Sequence, residues 1–208
     1  MSFVLAATVV AGGILVGRLV GSRLRSLRRP SHPPDEAGAA RGTSVVPLAG
    51  FECTVGDVVL RPLESDEAWL AGALVLSEER PVAAVFIAPD AGGDRALYVD
   101  AQSRGTVSWL TPIAEGSLAV RGEPPPTIEH EGVRFVRRRR LPVRVRGVGE
   151  HVPAFDESAI VGEYAGPGAA RLVVLAGDRT SLAWRGTALS DGEYEVLPSG
   201  ASGRRKEN

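Results

Sequence analysis

The stretch "GVRFVRRRRLPVRVRGVG", residues 132–149, sets the problem posed by this chain. Val143 and Val145 alternate with Arg144 and Arg146, the period of a strand with one buried face and one cationic face. Upstream, Val133, Phe135 and Arg137 fall on one side, and Arg134, Val136 and Arg138 on the other. Pro142 has no amide to give to a ladder, which predicts a turn or a sheet edge there. The stretch is therefore expected to form one hairpin with an arginine-rich outer surface.

Outward from it, apolar residues come in short runs between turn signals, as in "VAAVFIA", "RALYVD", "TVSWLTPI", "ARLVVLA" and "EYEVLP". That is the pattern of antiparallel sheets. Only "DEAWLAGALVLSEE" competes as a helix, and its β-branched and glycine content favours a strand. The predicted fold is mainly β, an antiparallel β-sandwich or barrel-like domain over residues 48–198. Two related β-units, 51–115 and 128–198, are suggested by a repeat. In it "AGGDRALYVDAQSRGTVSWL" from Ala91 parallels "AGPGAARLVVLAGDRTSLAWR" from Ala165, so that Trp109 aligns with Trp184.

The first residues place the protein. "SFVLAATVVAGGILVG", Ser2 to Gly17, carries no charge, and five arginines follow it from Arg18 to Arg29. A secretory signal peptide would carry its positive charge before the apolar run, so a transmembrane helix over residues 1–22 is expected instead. The positive-inside rule then puts the N-terminus outside and the β-domain in the cytoplasm, at the inner (cytoplasmic) membrane. Gly13, Gly17 and Gly21 share one helix face, a surface for helix self-association and a homodimer. Residues 23–47 read as a basic, Pro-rich disordered tether, and 199–208 as a disordered tail.

Motifs for chemistry are sparse. Cys53 in "FECTV" alternates with Phe51 and Val55 as a small buried hydrophobe. The three histidines, His32, His130 and His151, do not fall at metal-ligand spacing. "GPGAAR" precedes a strand rather than a helix, unlike a dinucleotide loop. Neither catalytic residues nor a metal or cofactor is expected.

The blocks "FECTVGDVVLRP", "GVRFVRRRRLPVRVRGVG", "GEYAGPGAARLVVLAGD" and "EYEVLP", in this order, resemble the bacterial domain-of-unknown-function 4178 family across most of residues 51–198. The resemblance implies a β fold and brings no catalytic residues and no assigned activity.

Two function classes remain. The first is a membrane-anchored, non-enzymatic binding or scaffolding domain, whose Arg137, Arg138, Arg139, Arg140, Arg144 and Arg146 contact anionic lipid or an acidic protein partner. A solvated face balanced by Glu129, Glu131 and Glu150 competes with that reading. Nucleic acid is disfavoured, since no aromatic platform interleaves with the arginines. The second class is an enzyme with a site built from turns around His151, Asp156 and Asp178.

Overall fold

The computed structural model describes residues 48, 50–91, 93–118 and 120–199. The expected anchor, the tether, the glycine stripe Gly13, Gly17 and Gly21, and the tail beyond Ser199 lie outside the described residues. Among the described residues no helix is long and apolar enough to cross a membrane.

Twelve strands are formed among the described residues: β1 (Val58–Arg61), β2 (Asp66–Trp69), β3 (Gly72–Ser77), β4 (Pro81–Ala88), β5 (Arg95–Asp100), β6 (Thr106–Pro112), β7 (Thr127–His130), β8 (Val133–Gly149), β9 (Ser158–Ala165), β10 (Ala170–Ala176), β11 (Ser181–Ser190) and β12 (Glu195–Leu197). Eight of them run in the order β3-β4-β5-β6-β11-β10-β9-β8, and β8 pairs back onto β3. The sheet closes on itself as an eight-stranded antiparallel barrel, which leaves no long open edge. The small sheet β12-β1-β2 lies apart from it in hydrogen bonding, and β7 extends the barrel along the start of β8.

The barrel consists of two four-stranded meanders, β3–β6 and β8–β11, joined at two seams, β3–β8 and β6–β11. Each seam carries a glycine where a side chain has no room. A Cβ on Gly72 would overlap the Glu150 carbonyl oxygen, and one on Gly186 the Trp109 carbonyl oxygen. Both reflect close approach of backbones at the closing pairs.

Alternation sorts the apolar residues into three clusters. Leu74, Val85, Tyr98, Leu110, Val143, Val161, Val173 and Trp184, drawn from all eight barrel strands, fill the lumen. The opposite parity of the first meander, including Val75, Phe86, Leu97 and Trp109, packs with Cys53, Val59 and Ala68 of the small-sheet region. That of the second meander, Leu172, Val174 and Ala183, packs with Val120, Ile128 and Phe135. The barrel thus has a packed interior and a separate cover over each meander. The two tryptophans aligned by sequence face opposite sides of the wall, Trp109 outward beneath the small sheet and Trp184 into the lumen.

The expected hairpin at 132–149 is instead one 17-residue strand. Pro142 is accommodated because of where its missing amide points. The Val145 amide donates to Glu157 O on the β9 side, so Pro142, three residues earlier, faces the other way. On that other side β7 pairs only up to Val136 and β3 only from Arg144. Strand β7 itself, "TIEH", was not expected; it is short and follows three prolines.

Candidate functional site

Strand β8 changes face partway along. A bulge between Arg137 and Arg139 shifts its register against β9, so that Arg137 pairs with Tyr164 and Arg139 with Glu163. A bulge adds one residue and inverts the alternation beyond it. Phe135 therefore packs in the outer cluster, whereas Val143 packs in the lumen. The six arginines are divided by this inversion. Arg137 reaches the Pro124 carbonyl and Glu123 outside the barrel, where Glu123 also binds Arg140 through both of its oxygens. These cations hold the Glu123 carboxyl below its usual range, chiefly through the hydrogen bond from Arg140. Arg139 turns inward, 3.0 Å from Asp100 Oδ2 and 3.4 Å from Glu163 Oε1. Arg138, Arg144 and Arg146 are exposed and have no ion-pair partner among the described residues. Of the acids expected to balance the strand, Glu131 pairs with Arg185 instead.

The Arg139 contacts belong to a network that spans one mouth of the barrel. Tyr98 on β5 donates to Glu163 Oε1 on β9 at 2.5 Å, and Arg139 on β8 reaches Asp100 at the end of β5. Both links cross the lumen, because β5 and β9 lie on opposite walls. Asp100 also accepts from the Gln102 amide and the Ser103 hydroxyl, which fixes its carboxylate. Burial pushes the Glu163 carboxyl above its usual range, against the hydrogen bond from Tyr98 and the charge of Arg139. Burial likewise raises Tyr98 well above the ordinary phenol, so its hydroxyl remains the donor. Beside the network is a cavity of about 200 Å³ lined by Tyr98, Asp100, Thr106, Ser108, Glu163 and Arg171.

The other mouth is open and mainly apolar. A cleft of about 460 Å³ has Ile87, Leu182 and Trp184 as its floor, with Arg95, Glu115 and His151 among its rim residues. His151 adopts a left-handed backbone conformation, φ 56°, in the β8–β9 connection. Asp156, farther along that connection, accepts from the Arg179 and Thr180 amides at 3.0 and 3.2 Å and pairs with the Arg179 side chain. These bonds, the Arg179 amide foremost, lower the Asp156 carboxyl below its usual range. Asp156 thus ties down the β10–β11 turn, where Asp178 is exposed. Asp156 is thereby bonded to the two residues that follow Asp178, and one of them, Thr180, lines the same cleft as His151.

Cys53 is fully buried, and burial together with the charges of Asp57 and Glu52 pushes its thiol up to about 12. His130 lies on β7, 3.8 Å from Glu131 Oε1. Among the described residues no group of histidines, cysteines and carboxylates is arranged to hold a metal ion.

Sequence reasoning missed Tyr98, Asp100, Ser108, Glu163 and Arg171. They come from four strands, so no motif joins them. Their signal was a polar residue at a lumen-facing position of an otherwise apolar strand, such as Ser108 in "TVSWL" and Glu163 in "IVGEYAG". No family model, curated protein or solved structure matches this chain.

Proposed function

We propose that the chain is a single-pass inner-membrane protein whose β-barrel is a non-catalytic binding module facing the cytoplasm, docked on anionic lipid by Arg138, Arg144 and Arg146. The observation that carries this reading is the division of the arginines. Arg137, Arg139 and Arg140 are paired with Glu123, Asp100 and Glu163, which leaves the other three exposed on β8 as unneutralised cations. Arg144 and Arg146 have the parity opposite to the lumen residues Val143 and Val145, so they project outward. Each basic residue near an anionic leaflet contributes on the order of 1 kcal/mol, and the apolar run at Ser2–Gly17 would keep the domain near that leaflet. The packed lumen also favours binding at surfaces over chemistry in an enclosed site.

The test is co-sedimentation of the full chain's compact unit, Val45–Asn208, with vesicles. Binding is expected to vesicles containing phosphatidylglycerol, to fall with salt, and to be lost when Arg138, Arg144 and Arg146 are all changed to Gln. Equal binding to pure phosphatidylcholine vesicles would remove the lipid reading. Retention on an acidic protein surface alone would replace it with an acidic partner.

A further inference from the structure

The polar mouth has features of a built binding site beyond its ion pairs. Ser108 is only 9% exposed, lines the cavity, and has no hydrogen-bond partner among the described residues. It is the cross-strand partner of Tyr98, on the same lumen face. Glu163 uses Oε1 for Tyr98 and Arg139, while its Oε2 has no protein partner among the described residues. Arg171 spends one nitrogen on the Ala170 carbonyl at 2.9 Å, with its other donors available to the cavity. Among the described residues no buried side-chain nitrogen or oxygen lacks a partner, so these free groups reach the solvent of the cavity, where they stand available to a ligand or to water.

We propose that this mouth binds a small, neutral, hydroxyl-rich molecule, an open-chain polyol or a monosaccharide, through Ser108, Glu163 and Arg171. The charges select neutrality, because Asp100 and Glu163 balance Arg139 and Arg171 within one cluster. The free groups select hydroxyls. Glu163 Oε2 accepts, Arg171 donates and Ser108 does either, and a hydroxyl, which donates and accepts through a single small atom, can answer all three. An aliphatic ligand would leave them desolvated and unpaired. The volume, about 200 Å³, lies below the usual range for drug-sized ligands and suits a small guest. Tyr98 and Asp100 hold Glu163 and Arg139 in place beforehand, which lowers the cost of ordering on binding.

This inference does not depend on the arginines that face the membrane. Its test is saturation-transfer NMR on the full chain, kept in a zwitterionic detergent without sugar groups, with glycerol, erythritol, myo-inositol and glucose as probes. Transfer to at least one probe is expected, with about tenfold weaker binding in Ser108→Ala and in Arg171→Gln. The linear and ring probes distinguish a polyol from a sugar. Silence from all four probes overturns the proposal, as does transfer that both variants leave unchanged. Should Ser108→Ala disturb the fold, seen as a lowered melting temperature, the less buried Arg171→Gln decides.

Discussion

The two mouths of one barrel are built on opposite principles. At one, Tyr98, Asp100, Arg139 and Glu163 reach across the lumen and close it with charge-assisted hydrogen bonds. At the other, Ile87, Leu182 and Trp184 stop short and leave an open apolar cleft. The same strands supply both ends: β5 begins at Arg95 beside the cleft and finishes at Asp100 in the network. Chemistry at a barrel mouth is therefore set by the last lumen-facing residues of each strand, while the middle of the lumen needs only apolar filling.

The contrast can be broken from either end. Trp184→Ala is expected to have the largest effect, a loss of about 3 kcal/mol in urea denaturation, because the indole is 3% exposed and fills the lumen beneath the cleft. Arg139→Met should cost less, about 2 kcal/mol by the same measurement, since it strands Asp100 and Glu163 in a site with partial access to water. If Arg139→Met proved neutral, the polar mouth would be ornamental and its closure would rest on Tyr98 alone.

The mouths should also differ in their response to pH. The folded Glu163 carboxyl is raised, mainly by burial, so the native state holds its proton more tightly than the unfolded chain. Its contribution to stability then falls as pH rises through the window above the ordinary glutamate range, and returns on acidification. Glu163→Gln should remove that slope in urea titrations across the window, whereas a lowered carboxyl such as Asp156 acts with the opposite sign and at lower pH, its contribution being lost as pH falls below the ordinary aspartate range. The smallest expected effect belongs to the rim of the open mouth. Asp156→Ala should speed hydrogen exchange at the Arg179 and Thr180 amides while leaving exchange in β5 and β9 unchanged.

Much of this wall was legible in the sequence, because period-two alternation in segments such as "VAAVFIA" and "ARLVVLA" names strands directly. Closure was not, since it depends on pairing Gly72 with Gly149, which no local pattern encodes. Strand β8 shows the limit most clearly. Val133, Phe135, Val143 and Val145 share one parity and invite a single buried face, yet the bulge at Arg138 sends the first pair outward and the second inward. One inserted residue also determines that Arg139 enters the polar mouth while Arg137 and Arg140 meet Glu123 outside.

The single long strand β8 carries a consequence for how the chain reaches its native state. Each meander is made of neighbours in sequence and can zip up locally, but β8 must also find β3, which precedes it by an entire meander. Contacts between distant segments are paid for in chain entropy before they give anything back, so closing the cylinder is expected to be the slow event. Until it happens, β3 and the C-terminal half of β8 each present an unsatisfied edge, the period in which two molecules could exchange meanders.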